Sequence, residues 1–312
     1  MARTSLLLSF LAAACLAACG SDAEPGSPCK ADLTCGGDLV CDFQSATPTC
    51  LAPEADLDND GIVNGDDFCP ATNEATNHDE DGDGQGDACD KCPIERYRAS
   101  VVDADNDGVT GACDPDPQDP GDKIVFFEPF AAANALSSWT LDDPSHFAIV
   151  DGALKVTVTA ADPAAEAKHF LQTTQAALAA FTAYRVTDAA PAGVENFSRQ
   201  VTIGAYDPAP RTGVSPVVCG VVSASGGAGR LSVVTGNGEV TEPLLSAFAV
   251  GEPYRLLMQT SGNDARCVQI RGDSSTLAAT SGGGDLRPGL VLSLRSVFAN
   301  YEYVLVVSSP AR

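Results

Sequence analysis

The chain has 312 residues, of which 44% are hydrophobic, and a formal net charge of −24 at pH 7. This balance argues against nucleic-acid binding and against direct electrostatic attraction to anionic lipid. Half of the acidic residues, 21 of 42, fall in residues 51–122, which hold only 3 basic residues and so carry a net charge of −18. The remaining composition is ordinary for a globular protein and allows one sizeable packed domain with smaller modules beside it.

The first 18 residues are typical of an export signal. Arg3 precedes an apolar run over residues 6–19 that is too short to cross a bilayer as a helix. The run ends in Leu16-Ala17-Ala18-Cys19-Gly20, which resembles the lipobox of bacterial lipoproteins. The resemblance implies that Cys19 is acylated after cleavage and anchors the protein to the bacterial outer membrane or cell surface. The alternative is an ordinary secretory signal that is cut at the same bond.

The number and context of the cysteines predict an oxidised protein. Of the 12 cysteines, Cys15 lies in the signal and Cys19 is the predicted lipid attachment site, so 10 remain. An even number of cysteines in an exported chain indicates disulfides, because that compartment is oxidising. A small, polar stretch rich in Pro and Gly follows over residues 19–28 and predicts a flexible tether.

Four of the remaining cysteines lie in residues 29–50, a span too short to bury a hydrophobic core. We therefore predict a small module that two disulfides hold together. Among the possible connectivities we favour Cys29 with Cys41 and Cys35 with Cys50. A zinc site built from the same thiols is the alternative, although no histidine lies nearby.

Three copies of one aspartate pattern dominate residues 51–122. Each copy has Asp at positions one, three, five and twelve and Gly at position six, as in the run from Asp56 to Asp67. Carboxylates on alternate residues of a tight turn can converge on one hard divalent cation, to which position seven adds a backbone carbonyl. The predicted ligands are Asp56, Asp58, Asp60, Ile62, Asn64 and Asp67 in the first copy, Asp79, Asp81, Asp83, Gln85, Asp87 and Asp90 in the second, and Asp103, Asp105, Asp107, Val109 and Asp114 in the third.

Calcium is the predicted ion, with an affinity of about 10⁻⁴ to 10⁻³ M as in extracellular modules. Magnesium is a rival, but it tends to keep its waters rather than enter an all-protein cage. The third copy should bind more weakly or use a water, because Gly111 stands at position nine, where an oxygen ligand would be useful. The remaining alternative is a solvated acidic linker without a specific ion, which three in-register copies disfavour.

The spacing of the aspartates alone also matches an EF-hand, which needs a helix on each side of its loop. Four prolines interrupt these flanks, namely Pro48, Pro53, Pro70 and Pro93. Cysteines recur in phase with the aspartates, and over residues 56–117 the arrangement resembles thrombospondin type 3 repeats. In such repeats the chain wraps around calcium ions and disulfides in place of a hydrophobic core. The resemblance implies disulfides between Cys69 and Cys89 and between Cys92 and Cys113.

Residues 123–312 change to short apolar and β-branched runs separated by Gly-rich turns. This pattern predicts an antiparallel β-sandwich or barrel in a domain long enough to bury a core. The predicted strands are Ile124–Phe127, Ala153–Thr159, Phe181–Val186, Gln200–Ala205, Val217–Val222, Arg230–Val234, Tyr254–Met258, Cys267–Ile270, Leu290–Leu294 and Tyr301–Val307. The Ala-rich stretch Ala176–Ala180 is the one predicted helix. Cys219 and Cys267 both fall in predicted strands, and we expect a disulfide between them.

The opening of this domain resembles concanavalin A-like or laminin G-like jelly rolls. Glu128-Pro129-Phe130 precedes Trp139, and a strand-like run follows over residues 147–156. The resemblance implies two antiparallel sheets of a kind that often binds carbohydrate or protein ligands and sometimes hydrolyses glycans. A fold alone does not decide between these functions.

No constellation of catalytic residues is visible in the sequence. No strand carries the alternating carboxylates that glycosidases of this fold use, and Glu302 stands alone on its strand. The histidines His78, His146 and His169 are scattered and expected at the surface, and there is no Gly-x-Ser-x-Gly motif. We therefore expect no enzymatic activity.

The sequence as a whole predicts a mainly β, exported surface lipoprotein that binds calcium and has a structural or adhesive role. In this interpretation the disulfide- and calcium-stabilised repeats of residues 51–122 form a stalk that presents the ligand-binding sandwich of residues 123–312. The alternative is a carbohydrate-binding or glycan-processing surface protein in which the repeats are only a spacer. The expected partners are calcium ions, the membrane through the lipid anchor alone, and a surface protein or carbohydrate.

Overall fold

The computed structural model describes residues 24–74, 76–98, 101–171, 177–188, 198–206, 217–223, 229–244, 248–261, 264–281 and 289–310. The predicted signal peptide and its Cys19 lie outside these residues. Within them the chain forms 17 β-strands and three short 3₁₀ helices, Gly111–Cys113, Ala135–Ser138 and Pro144–His146. No helix in this part of the chain has the length and apolarity to cross a membrane. Two compact units divide the chain, residues 1–73 and residues 74–312.

Two disulfides organise the first unit around a two-stranded sheet. Strands β1 (Val40–Asp42) and β2 (Thr49–Leu51) pair antiparallel. Cys29 is bonded to Cys41 and Cys35 to Cys50, which are the favoured pairs of the sequence analysis. Because these four sulfurs are in disulfides, none is a thiolate ligand, and the alternative of a zinc site does not hold.

The second unit contains a sandwich of two antiparallel sheets. Its strands are β3 (Lys123–Glu128), β4 (Trp139–Leu141), β5 (Phe147–Val150), β6 (Ala153–Val156), β7 (Ala164–Phe170), β8 (Ala177–Asp188), β9 (Arg199–Tyr206), β10 (Val217–Ser223), β11 (Gly229–Thr235), β12 (Gly238–Pro243), β13 (Pro253–Ser261), β14 (Asp264–Arg271), β15 (Ser274–Ser281), β16 (Gly289–Arg295) and β17 (Phe298–Ser309). The seven-stranded sheet has the order β12-β11-β10-β9-β16-β7-β4, and the eight-stranded sheet has the order β15-β14-β13-β8-β17-β6-β5, with β3 also paired to β17. The prediction of a mainly β, antiparallel sandwich is confirmed.

The main hydrophobic core lies between the two sheets. Alternate residues of each strand face inward, as the period of two in the sequence requires. Fully buried members include Leu154, Tyr184, Ile203, Leu231, Leu256, Met258 and Leu292. Cys219 of β10 and Cys267 of β14 form the expected disulfide, and both are 0% exposed. This bond crosses the core and joins one sheet covalently to the other.

The ten predicted strands all overlap observed strands, but the predicted helix is wrong. The described part of the Ala-rich stretch, Ala177–Ala180, begins β8, which lies between β13 and β17 in the eight-stranded sheet. Alanine favours helices only weakly, and tertiary packing overrides that preference. In β8 the small side chains are buried on both faces of the sheet, where larger ones would keep the neighbouring layers apart.

A second core forms on the outer face of the eight-stranded sheet. Four residues of the acidic segment pack there against β8 and β17. The buried members are Cys92, Ile94, Val109 and Cys113 from the repeats and Ala179, Ala183, Tyr303, Leu305 and Val307 from the two strands. Because this part of the repeats is packed onto the sheet, it does not extend from the sandwich as the free stalk that the sequence analysis expected.

Removal of the disulfide between the sheets should destabilise the sandwich. The bond closes a loop with a sequence separation of 48. In the chain-entropy description, a Cys219→Ser, Cys267→Ser double variant therefore loses about 4 kcal/mol of unfolding free energy. Chemical denaturation followed by Trp139 fluorescence measures the change. A Cys29→Ser, Cys41→Ser variant is the matched control and should leave this transition unchanged; an equal midpoint in both variants contradicts the prediction.

Candidate metal sites

Each acidic copy brings its leading aspartates to one point. We call residues 56–67 loop one, residues 79–90 loop two and residues 103–114 loop three. In every loop, carboxylate oxygens from positions one, three and five lie within 4.8 Å of one another. These trios are Asp56, Asp58 and Asp60, then Asp79, Asp81 and Asp83, then Asp103, Asp105 and Asp107. Loop one belongs to the first unit, and loops two and three belong to the second.

Hydrogen bonds from the backbone hold these carboxylates in the same way in all three loops. At position one, the carboxylate accepts the N–H of position six at 3.2, 2.8 and 3.1 Å in loops one, two and three. At position five, it accepts the N–H of position seven at 2.7, 2.8 and 2.9 Å. At position twelve, it accepts the N–H two residues further along at 2.7, 2.8 and 2.9 Å. The loops are therefore one repeated structure as well as one repeated sequence.

Several carboxylate oxygens in the loops are buried and make no hydrogen bond. They are Oδ2 of Asp58, Asp60 and Asp67 in loop one, Oδ2 of Asp81 and Asp90 in loop two, and both oxygens of Asp105 in loop three. Buried polar atoms without partners are uncommon in native proteins, because each costs about 1–3 kcal/mol or more when it is charged. A cation at the centre of each loop would satisfy these oxygens, since carboxylates are the ligands that calcium prefers.

Left-handed backbone at position four lets each loop turn tightly. Asn59 has a φ of 62° and Asn106 a φ of 63°, and Gly82 occupies the same position in loop two with a φ of 73°. Asn and Gly are the residues that tolerate this conformation best. Asn or Gly at position four of each loop is therefore a further sequence signal of the repeated turn.

The side chain at position nine forms hydrogen bonds that hold the loop together. In loops one and two its side chain accepts the N–H of position two, at 3.1 and 2.8 Å. Asn64 is 1% exposed and also donates to the carbonyl of Ala52 at 2.9 Å. The second oxygen of Asp87 lies 2.8 Å from Nδ1 of His78. Asn64 and Asp87 therefore brace the loop, and their role as calcium ligands stays a prediction.

Loop three differs at position nine, where it has Gly111 and where the side chain of Glu95, a residue outside the loop, fills the adjacent space. A Cβ on Gly111 would lie 2.6 Å from Oε2 of Glu95. That oxygen accepts the N–H of Ala112 at 2.6 Å. In the same loop, Nζ of Lys91 lies 2.8 Å from Oδ2 of Asp103. Loop three thus has no side-chain oxygen of its own at position nine, and one of its leading carboxylates is shared with a lysine.

Burial raises the pKa of carboxyls in the metal-free loops, and their neighbours' negative charges add to the effect. The pKa of Asp81 rises to about 6 and that of Asp90 to about 7. Asp114 reaches about 6 for the same reasons. Glu80 has a pKa of about 8, through burial first and then through Asp87 and other carboxylates. These directions show that the metal-free loops hold negative charge poorly.

Two carboxylates that the sequence did not connect line a cavity of about 330 Å³ beside loop two. Glu80 comes from the loop and Glu302 from the outer face of β17. Arg185 pairs with Glu302, with 3.1 Å between Nη2 and Oε1.

The expectation that all three histidines lie at the surface is wrong for His146, which is 6% exposed and has its Nε2 3.8 Å from Asp162.

No protein family matches the chain, and no curated protein matches it. Similar solved structures include a β-glucanase from Bacillus licheniformis, with 9% identity and a TM-score of 0.42 over 60% of this chain and 98% of that one. Peanut lectin has 10% identity and a TM-score of 0.43 over 61% and 98%. Lectin I from Ulex europaeus, solved with a methyl glycoside of α-L-fucose, has 8% identity and a TM-score of 0.44 over 60% and 98%. Structural similarities with such low identities and TM-scores support no functional conclusion. The assignment of a β-sandwich therefore depends on the sheets of this chain, and carbohydrate binding stays a prediction.

The metal-free protein should lose stability as the pH rises from about 5 to about 8. Folding raises the pKa of Glu80 to about 8 and that of Asp90 to about 7. A carboxyl with a raised pKa binds more protons in the folded state than in the unfolded state, so the stability it provides disappears as it deprotonates. Thermal unfolding in chelator across this range measures the effect. A melting temperature that climbs with pH in chelator contradicts it.

Substitution at position nine should weaken a loop whether or not an ion is present. Asn64→Ala removes two hydrogen bonds of a buried side chain, so unfolding free energy should fall by about 1–3 kcal/mol in both calcium and chelator. Asp67→Asn is the contrasting variant, because it alters an oxygen that has no partner, and its effect should appear in calcium alone. Thermal unfolding of both variants in the two buffers checks the prediction; a purely calcium-dependent effect of Asn64→Ala contradicts it.

Proposed function

We propose that this chain is an exported, calcium-binding surface protein with a structural or adhesive role. In this proposal all three loops bind calcium, and the filled loops two and three hold the repeat segment against the β-sandwich. The observation that carries the proposal is the set of buried carboxylate oxygens at the loop centres without hydrogen-bond partners. The disulfides of both units, from Cys29 to Cys41 and from Cys35 to Cys50 in the first and from Cys219 to Cys267 in the second, support export, since disulfides persist in oxidising compartments.

The chemistry of the loops suits calcium better than other divalent cations. The trios contain only carboxylates, without a thiol or an imidazole, which disfavours zinc. Calcium accepts six to eight oxygen ligands in flexible geometry, and the loops offer carboxylates from positions one, three, five and twelve together with the carbonyl of position seven. Magnesium demands a near-octahedral shell and gives up its waters reluctantly, so a cage of this kind suits it poorly.

Ion binding and packing on the sheet involve the same short stretches of chain. Val109 is position seven of loop three, and its side chain is 2% exposed in the second core. Cys92 lies two residues beyond loop two and Cys113 lies within loop three; they form a disulfide with each other and are buried in the same core. An ion that orders loops two and three would therefore also order the residues that pack against β8 and β17.

The proposal predicts saturable calcium binding that depends on the loop carboxylates. Calorimetric titration of the oxidised protein, first freed of metal, should show binding near 10⁻⁴ to 10⁻³ M, and each site should add about 2.7 kcal/mol of stability when calcium is about 100-fold above its dissociation constant. Asp81→Asn should remove or weaken one site. Asp151→Asn removes the same charge at an exposed turn outside the loops and is the matched control. Absence of binding at millimolar calcium would falsify the proposal.

We further propose that the protein is held at the bacterial outer membrane or cell surface by lipid on Cys19. The lipobox-like run before this residue supports the assignment. Metabolic labelling with a radioactive fatty acid should mark the wild type and a Cys15→Ser variant, and Cys19→Ser should abolish the label. Label retained in Cys19→Ser overturns the anchor and leaves the calcium proposal untouched.

The sandwich is proposed as a ligand-binding domain without an enzymatic reaction. Glu302 supports this assignment, because it is paired with Arg185 and shares its strand with no second carboxylate. A protein or carbohydrate is the proposed class of ligand. A glycan array probed in calcium and in chelator distinguishes the two classes, and release of sugar from any bound glycan would contradict the non-enzymatic role.

A further inference from the structure

Asp122 is a buried carboxylate that no position of the aspartate pattern includes. It lies beyond the end of loop three and immediately before β3. The residue is 0% exposed, and both carboxylate oxygens are buried without a hydrogen bond, although the Ser309 hydroxyl and the backbone N–H of Asp116 lie close enough to favour the ionised form. A fully buried charge that only neutral groups approach is unfavourable. Some cationic partner is therefore required if this carboxylate is to stay ionised.

The surroundings of Asp122 are the acidic residues of loop three. Its backbone N–H donates to Oδ2 of Asp107 at 2.7 Å, and the neighbouring Gly121 donates to the same oxygen at 3.1 Å. The carboxylate is close enough to Asp107 and Asp114 for their charges to influence one another. Among the described residues, the charged groups that influence Asp122 are thus acidic residues of loop three and Asp116, with no lysine or arginine among them.

Loop three is also the loop with fewer side-chain oxygens available to an ion. Gly111 offers no side chain at position nine, and Lys91 already bonds one oxygen of Asp103. Asp107 uses Oδ1 for the N–H of Val109 and Oδ2 for the two N–H groups before β3. In contrast, both oxygens of Asp105 are buried and have no partner. An additional carboxylate here would supply a protein ligand where loop three would otherwise depend on water.

We propose that Asp122 is this missing ligand and that, with Asp105 and Asp114, it completes a calcium site joining the repeats to the first strand of the sandwich. The inference rests on the proposed function, since it assumes that the loops bind calcium. It adds a ligand from outside the repeats and a structural consequence for β3.

The consequence arises because Asp122 precedes Lys123, which pairs with Ser308 of β17. An ion held by Asp122 fixes the start of β3 at the end of this ladder. Calcium in loop three should therefore stabilise the pairing of β3 with β17. Calcium in a loop that has no ligand next to a strand of the sandwich should stabilise only the backbone of that loop. The repeat segment and the sandwich then respond to calcium together.

Two measurements on the oxidised full chain test the inference. Calorimetric titration with calcium chloride gives the number and affinity of sites, and amide hydrogen exchange follows Lys123–Glu128 in calcium and in chelator. Wild-type β3 should be more protected in calcium. Asp122→Asn should lose one site or weaken it by about 10- to 100-fold, and the calcium dependence of β3 protection should disappear. Asp151→Asn should behave as the wild type.

The other outcomes separate the inference from the proposed function. Wild-type protein that binds no calcium refutes both. Wild type that binds, with an Asp122→Asn variant of equal stoichiometry, affinity and β3 protection, refutes the inference alone. Asp105→Asn is a second variant for the same site, and both single variants and the double variant should change that one site and leave the others intact, because both residues act on one ion. Changes at two different sites, or an Asp122→Asn variant destabilised equally in calcium and chelator, assign Asp122 a role outside this site and overturn the inference.

Discussion

Repulsion between carboxylates packed side by side is the constraint from which the rest of the acidic segment follows. Backbone N–H groups hold one oxygen of each aspartate and leave others facing inward without partners. Positive charge or protonation relieves this repulsion, and few basic side chains are available nearby. In the function proposed above, calcium supplies the positive charge, and the segment would gain from the ion the order that other domains gain from a hydrophobic core.

Apolar burial and cross-links still contribute, but in places that complement the loops. The sandwich has its own core between the sheets, closed by the bond between Cys219 and Cys267. A thinner apolar layer outside β8 and β17 receives the repeats, with the disulfide from Cys92 to Cys113 lying within it. The Ala-rich start of β8 is buried on both faces of the sheet. Its small side chains allow the repeats to pack closely against the strand, which explains why this stretch is a strand and not a helix.

The elements visible in the sequence are those with a local, periodic signal. Alternating β-branched runs located the strands, and the spacing of aspartates located the three trios. What the sequence could not show depends on contacts between distant segments. Glu95 fills the place beside Gly111, and the backbone N–H of Asp122, just before the first strand of the sandwich, bonds Asp107 of loop three. The position of Asn64 in the pattern predicts a ligand, and only the structure adds that its hydrogen bonds to Leu57 and Ala52 brace the loop.

The position of β17 in the sheet affects how the protein is made. This strand pairs with β8, β6 and β3, and it follows every other described strand along the chain. The eight-stranded sheet consequently cannot close while β17 is still being synthesised, and its pairings span long sequence separations that form slowly. On the proposed export route, the chain would therefore be translocated before this sheet is complete, and the sheet would close in the compartment where the disulfides form.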